Sequence, residues 1–203
     1  MKSGLVLIDI QNDYFTGGKF ELEGGLEASL KASQLLSFYR QQQLPVFHLQ
    51  HLSIRQGATF FFPNTPGAEF HPHVRPLEGE VVIHKHHPNC FRDSLLQTEL
   101  QQQGVEHLVV CGMMTHMAID ATVRAAYDMG FQVTVIADAC ATRSLTFRNV
   151  TVSAFQVHSA SLAALGYLFA NIQTADEWIA NFLHPQQEDA IAVSYNSPHV
   201  LSH

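Results

Sequence analysis

Apolar residues fall in short continuous runs along the chain, and these runs alternate with longer segments in which apolar positions recur every three to four residues. Runs of about four to eight residues rich in Val, Ile and Leu predict buried strands, and the longer period predicts amphipathic helices. The strands predicted in this way are 4–10, 45–51, 80–85, 107–112, 132–139 and 167–172. The helices predicted between and after them are 26–43, 94–103, 116–129, 147–165 and 174–183.

Strands that alternate with helices predict a parallel sheet covered on both faces. Right-handed crossovers then give a doubly wound α/β fold, with three α/β/α layers around a six-stranded, mainly parallel sheet. The pattern indicates one domain, residues 1–184, followed by a polar C-terminal tail, 185–203, which is either disordered or docks on a neighbouring subunit. The segment 53–79 is rich in aromatic, Pro, Gly and His residues and is long for a loop without function.

Composition narrows the class of protein. The 203 residues carry a net charge of −7, which argues against a nucleic acid partner, since phosphate binding requires clustered Lys and Arg. No signal peptide opens the chain and no apolar run is long enough for a membrane helix, so we expect a cytoplasmic protein that does not bind membranes. The odd set of three cysteines fits a reducing compartment. A charged fraction of only 14% favours a homodimer or homotetramer.

Polar residues at strand ends indicate where chemistry takes place, because doubly wound sheets bind ligands beyond the carboxyl ends of their strands. Asp9 follows the first strand and Lys85 ends the third. Together they form a proton-handling pair, and a lysine that keeps its charge lowers the pKa of a nearby thiol. Gly112 opens a turn into a helix whose free N–H groups and dipole would stabilise an oxyanion at the same edge. The first turn of that helix, however, contains Ala118 and no attacking atom.

Three segments in this order, LVLIDIQNDYF, VVIHKHHPNCFRDSLL and VVCGMMTHMAIDATVRAAYDMG, resemble the isochorismatase-like cysteine hydrolase superfamily, in its amidohydrolase branch. The resemblance covers roughly residues 4–172. It implies hydrolysis of a C–N bond in a small amide, ureido or lactam substrate by a Cys-Asp-Lys triad, with no cofactor and no metal. It places the triad acid on Asp9, the lysine on Lys85 and the cysteine on Ala118. It also implies an oxyanion hole made by the backbone N–H groups of Met114 and Ala118, next to a cis peptide between Met113 and Met114.

Three interpretations of Ala118 stay open. The chain is an engineered inactive variant, a natural cysteine-less hydrolase of isochorismatase type that cleaves a vinyl ether by acid catalysis from Asp9, or a non-catalytic small-molecule binding protein. The motifs resemble the amide-cleaving branch more closely, which favours the first interpretation. Cys111 is no substitute nucleophile, because it lies inside the strand before Gly112, where a small buried apolar residue is expected.

Substrate contacts are expected from residues next to the motifs or at strand ends: Gln11, Phe15, His51, Phe60, Phe91 and His116. His48 and His51 do not predict a metal site, because no Asp accompanies them and strand residues three apart face opposite sides. The histidines at 71–73 and 84–87 are expected on the surface.

Overall fold

The computed structural model describes residues 1–184, and the tail predicted for 185–203 lies outside the described residues. The strands are β1 (Ser3–Ile8), β2 (Val46–His51), β3 (Val81–Lys85), β4 (His107–Met113), β5 (Gln132–Ala141), β6 (Leu145–Phe147), β7 (Val150–Val152) and β8 (Asn171–Gln173). The helices are α1 (Gly25–Gln41), α2 (Leu96–Gln102), α3 (Asp120–Asp128), α4 (Ala154–Leu168) and α5 (Ala175–Leu183).

Six of these strands form one parallel sheet in the order β3-β2-β1-β4-β5-β8. The chain builds outward from β1 to β3 and then returns to the other side of β1 with β4. Helix α1 packs with α5, and α3 packs with α4, as expected when helices cover both faces. The predicted doubly wound α/β fold is confirmed. Its strand order reverses between β1 and β4, which opens a crevice at the carboxyl ends of these two strands.

The central strands are buried because both faces of the sheet are covered. β1 is buried along its whole length, and β4 is buried from Leu108 to Met113. This explains why these strands read as continuous apolar runs rather than as alternating patterns. Within residues 1–184, no helix is both long and apolar enough to cross a membrane.

The region before α4 differs from the sequence prediction. Residues 147–153 were predicted as the start of a helix, but β6 and β7 form an antiparallel hairpin there, and α4 begins at Ala154. The run Val150–Val152 is β-branched throughout, which favours a strand. Ser153 then caps α4: its side chain accepts the N–H of Gln156, whose side chain reaches back to Ser153.

Three backbone features lie at the crevice. Gly112 has φ 127°, and a β-carbon there would lie 2.0 Å from the carbonyl oxygen of Ile8, so only glycine lets β4 approach β1 so closely. Asp9, directly after β1, has φ 53°, a left-handed conformation that Asp and Asn tolerate better than most residues. The peptide bond between Met113 and Met114 is cis, at the position that the family resemblance implied.

Candidate active site

A buried ion pair lies at the carboxyl edge of the sheet. Lys85 Nζ donates to Asp9 Oδ2 at 2.7 Å, and the two side chains are 0% and 4% exposed. β3 and β1 are separated by β2, and neighbouring strands lie about 4.8 Å apart, so the long lysine stem is what spans this distance. The predicted pairing of acid and base is therefore present in the fold.

The Lys85 ammonium is fixed by three partners. Besides Asp9, it contacts His51 Nδ1 at 3.3 Å and donates to the carbonyl oxygen of His87 at 3.1 Å. Burial lowers the pKa of Lys85, but the Asp9 carboxylate outweighs this and raises it above the ordinary value. The lysine is therefore a permanent positive charge that has no spare donor.

The same environment shifts the pKa values of Asp9 and His51, the two side chains that contact this lysine. Burial raises the pKa of Asp9 to about 6, although Lys85 acts in the opposite direction. Burial and the positive charge of Lys85 lower the pKa of His51 to about 3, so its ring is neutral. Because Nδ1 of His51 faces an ammonium group, it accepts, and Nε2 carries the proton.

One oxygen of Asp9 remains free. Within residues 1–184, Asp9 Oδ1 is buried and has no hydrogen-bond partner. A buried carboxylate oxygen without a partner is costly, so its retention calls for an explanation in terms of function. Oδ1 can take a proton from, or give one to, a group that enters the crevice, while Oδ2 stays bound to Lys85.

A cavity of about 380 Å³ opens above this pair. Five of the predicted site residues line it: Asp9, His51, Phe60, Met114 and Ala118. Its walls also include Tyr14, Phe61 and Met117 and residues from the segment 53–58. A small organic molecule fits this space, with mainly aromatic and aliphatic groups and a few polar atoms around it.

Position 118 lies on a π-helical turn, Thr115–Ile119, that connects β4 to α3. Thr115 anchors the turn, because its hydroxyl donates to the carbonyl oxygen of Ala141 at 3.2 Å and contacts His158 Nδ1 at 2.9 Å. Ala118 is 4% exposed and presents only a methyl group at the cavity.

The three cysteines of the chain do not replace a nucleophile at this position. They are buried and lie outside the cavity lining: Cys90, Cys111 and Cys140. Burial raises the pKa of Cys90 and of Cys140 to about 12, and raises that of Cys111 as well. Their thiols are therefore protonated and inert at neutral pH.

Four residues predicted to contact substrate lie outside the cavity lining: Gln11, Phe15, Phe91 and His116. The ring of Phe15 stacks on His71 at 3.8 Å between centroids. Phe91 packs against Phe131, and His116 Nδ1 bonds to the hydroxyl of Thr142. Adjacency in sequence to a motif residue was a poor guide, because neighbours on a strand or turn point in different directions.

Gln11 holds the cavity wall instead. Its Nε2 donates to the carbonyl oxygens of His51 at 2.9 Å and Ala68 at 2.7 Å, and its Oε1 accepts the N–H of His51 at 2.8 Å. One buried side chain thus joins the end of β2 to the segment 53–79. Gln11 positions His51 through its main chain.

Asp13 supports the cavity wall from behind and was not identified in the sequence analysis. Its Oδ2 accepts the N–H of Phe61 at 2.7 Å, which fixes the aromatic wall of the cavity. Gly67 passes so close that a β-carbon there would lie 2.2 Å from Asp13 Oδ1. The signal in the sequence was the polar run of residues 11–13 directly after a buried strand.

Histidines 86 and 87 were expected on the surface, and the structure differs from this expectation. Both line the cavity rather than the outer surface, because the chain turns back over the edge of the sheet after Lys85. By contrast, His48 is buried against Glu80, with Nε2 2.8 Å from Oε2, and does not line the cavity. Within residues 1–184, no group of three or more His, Cys, Asp or Glu side chains is arranged to hold a metal ion.

Comparisons with known proteins show the family of this chain. A family model for the isochorismatase domain matches residues 3–177. The chain is 48% identical to the uncharacterised isochorismatase family protein YddQ of Bacillus subtilis, over 88% of this chain and 99% of that protein. It is 34% identical to the secreted isochorismatase effector Isc1 of Verticillium dahliae, over 86% of this chain and 89% of that protein. It is 33% identical to a streptothricin hydrolase of Streptomyces noursei, over 68% of this chain and 49% of that protein.

A solved structure shares the fold closely. The crystal structure of a proposed isochorismatase hydrolase from Oleispira antarctica superposes with a TM-score of 0.85 at 46% identity, covering 88% of this chain and 96% of that one.

Proposed function

The chain belongs to the isochorismatase family of hydrolases, and from this premise we propose that its cavity binds a small amide, ureido or lactam substrate whose C–N bond a Cys-Asp-Lys triad would cleave. The observation that carries the proposal is the buried Asp9–Lys85 pair with one free carboxylate oxygen, at the floor of a cavity that position 118 also lines. The chain itself has alanine at the position of the nucleophile, so we expect binding with little turnover.

The surviving groups have separate roles in this proposal. With a cysteine at position 118, Asp9 Oδ1 takes the thiol proton, and the fixed charge of Lys85 stabilises the thiolate. The thiolate attacks the carbonyl carbon, and the backbone N–H groups of Met114 and residue 118 receive the oxyanion. The C–N bond then breaks, Asp9 returns the proton to the departing nitrogen, and water releases the acyl group with Asp9 as the base.

Replacement of Ala118 by cysteine tests this proposal. Ala118 borders an open cavity, so one added sulfur displaces no packed atom, and the fold should tolerate it. Removing the nucleophile of a triad hydrolase lowers kcat by roughly 10⁶, so a gain of several orders of magnitude is expected in Ala118→Cys. The assay is the release of ammonia or amine from a panel of amides, ureides and lactams.

Two controls separate the triad from general effects of the new side chain. Ala118→Ser adds a hydroxyl of similar size that this site does not deprotonate, and the double variant Ala118→Cys/Asp9→Asn keeps the thiol but removes its base. Both should stay near the rate of the parent chain. A folded Ala118→Cys protein that is inert on the whole panel would contradict the proposal.

A second function is favoured by one observation, the raised pKa of Asp9. With a pKa of about 6, Asp9 is partly protonated in mildly acidic solution and can donate a proton without any thiol. In this alternative the unaltered chain hydrolyses a vinyl ether such as isochorismate by acid catalysis. Its rate should fall as pH rises through about 6, and it should be lost in Asp9→Asn. If the unaltered chain shows this activity while Ala118→Cys cleaves no amide, the second function replaces the first.

We also propose that the chain forms a homo-oligomer through the surface made by β6, β7 and α4. This surface is exposed and apolar: Phe147 is 75% exposed, Val150 65%, Phe155 78% and Tyr167 90%. No Asp, Glu, Lys or Arg occurs in 149–175, and the charged side chain in the turn between β6 and β7 is Arg148, whose guanidinium lies 5.4 Å from the centroid of the Phe147 ring. Equivalent residues meet near a two-fold axis, so a second copy fits a face with few charges. An isolated two-stranded hairpin is also marginal in water and gains from being covered.

Light scattering tests this surface. The chain should have at least twice its monomer mass of 22.6 kDa at micromolar concentration. Val150→Lys should give a monomer, while Val82→Lys, on an exposed apolar residue of β3, should not. A monomeric parent chain, or dissociation by both variants alike, would contradict the assignment.

A further inference from the structure

Arg55 is a cation without a counter-charge at the wall of the cavity. It lines the cavity, and within residues 1–184 no carboxylate lies at ion-pairing distance from its guanidinium group. In the same part of the chain, six Lys and Arg side chains have no acidic partner: Lys2, Lys19, Arg55, Arg75, Arg143 and Arg148. Arg55 is the one among these six that lines the cavity, so its guanidinium is available to an anionic group that enters there.

The backbone defines where Arg55 is held. The N–H of Ala58 donates to the carbonyl oxygen of Arg55 at 3.1 Å, which closes a tight turn. The N–H of Ser53 donates to the carbonyl oxygen of Phe61 at 2.8 Å and fastens both ends of this loop together. Asp13 in turn fixes Phe61. The arginine is therefore carried on a fastened loop above the aromatic wall.

The carboxylate at the cavity is already matched. Among residues 1–184, Asp9 is the one carboxylate that lines the cavity, and Lys85 neutralises this group at 2.7 Å. His51 is neutral in this setting and contributes no charge. Most of the remaining wall is aromatic or aliphatic. Arg55 is thus an arginine charge without an acidic partner in a cavity whose lining also includes Asp9 and position 118.

We propose that the substrate carries a carboxylate in addition to the bond that is cleaved, and that Arg55 pairs with this carboxylate. The planar guanidinium fork matches a carboxylate in a two-bonded geometry, which gives orientation as well as attraction. A substrate paired with Arg55 lies in the same cavity as Asp9 and position 118, where its carbonyl group would react. This inference rests on the proposed function of the same cavity, and it narrows the substrate class to N-acyl amino acids, amic acids and ureido acids.

Binding to the unaltered chain tests the inference without any turnover. N-benzoylglycine and N-methylbenzamide share the same aromatic amide, but only the first carries a carboxylate. Isothermal titration should show a preference of about tenfold for N-benzoylglycine at low salt, and this preference should shrink as salt screens the charge. Arg55→Gln should reduce the preference to within about twofold while leaving the affinity for N-methylbenzamide unchanged.

The matched control is Arg92→Gln. It removes the same charge from a side chain that is 65% exposed and lies outside the cavity lining, so it should keep the preference. Equal affinities for the two compounds, millimolar or weaker binding of both, or a preference that survives Arg55→Gln would each overturn the role of Arg55. Failure of the proposed function is detected by a different measurement: Ala118→Cys would then hydrolyse no amide, whatever the binding preference of the unaltered chain.

Discussion

The buried pair of Asp9 and Lys85 makes a quantitative prediction about stability and pH. In the native protein the pKa of Asp9 is about 6 with the lysine present, and both effects of the lysine lower it. In Lys85→Met the carboxyl group keeps its burial and loses its cation, so its pKa rises further. Above pH 6, Asp9 therefore stays protonated in the folded state of Lys85→Met, whereas in the folded parent chain it has already lost this proton.

The size of the effect follows from linkage. Each pH unit above 6 costs Lys85→Met about 1.4 kcal/mol relative to the parent chain, for as long as Asp9 stays protonated. The pH-dependent part of the penalty should therefore be close to zero at pH 6 and about 3 kcal/mol at pH 8. Loss of the hydrogen bond to the His87 carbonyl adds a constant term that does not change with pH.

The measurement is urea unfolding of four proteins between pH 6 and pH 8: the parent, Lys85→Met, Asp9→Asn and the double variant. Asparagine is the right partner substitution, because residue 9 has φ 53° and asparagine tolerates the left-handed region. The double variant should lose the pH-dependent penalty, since it has no carboxyl group to protonate. A penalty that is constant with pH in Lys85→Met, or one that rises equally in the double variant, would refute the reasoning.

Three further predictions concern the frame around the site. Gly112→Ala should destabilise the protein by roughly 3 kcal/mol or more, since its β-carbon would meet the Ile8 carbonyl, whereas Gly130→Ala, with φ 88° and open space, should cost only about 1 kcal/mol in thermal or urea unfolding. Gln11→Leu should remove the Gln11 hydrogen bonds to the N–H and carbonyl oxygen of His51 and leave the Ala68 carbonyl oxygen with Gln50 alone. Limited trypsin digestion at Arg55 should therefore be faster than in the parent, and an unchanged rate would contradict the role of Gln11. The pKa of His51 in the folded protein, about 3, lies below its ordinary value of 6.5, so the unfolded state binds the proton first and stability should fall as pH drops below 6.5. His51→Gln should make this fall of the unfolding free energy with pH less steep in urea unfolding. An equally steep fall in the variant would contradict the prediction.

The sequence was a good guide to the sheet and a weaker guide to the residues around the cavity. β1 and β4 are buried on both faces, so their apolar runs could be recognised without knowledge of their neighbours. Asp9 and Lys85 could be placed because a charged residue that ends such a run must lie at the edge of the sheet. The hairpin of β6 and β7 was missed because its alternation is short and its side chains are exposed, which leaves no burial pattern to detect.

Contacts across long sequence separations account for the other differences. Gln11 was expected to touch substrate, but it meets Ala68, 57 positions away, and no local pattern encodes this pairing. Asp13 is bound to Phe61 for a similar reason. His86 was expected on the surface because a polar loop residue is usually exposed, but the path of the chain after β3 brings it over the cavity.

The way in which the segment 53–79 is attached has a consequence for how the protein can diversify. Its links to the start of the chain end on main-chain atoms: the N–H of Phe61, the carbonyl oxygens of Ala68 and Glu69, and the N–H of His71. Every residue except proline supplies such an N–H, and every residue supplies such a carbonyl. These hydrogen bonds do not depend on the side chains of the segment, although Phe61 is fully buried and Gly67 has no room for a β-carbon. The side chains that line the cavity without being fully buried can therefore change by point substitution while Asp9 and Lys85 stay in place. A library randomised at Ile54, Ala58 and Phe60 explores new ligands above an unaltered ion pair.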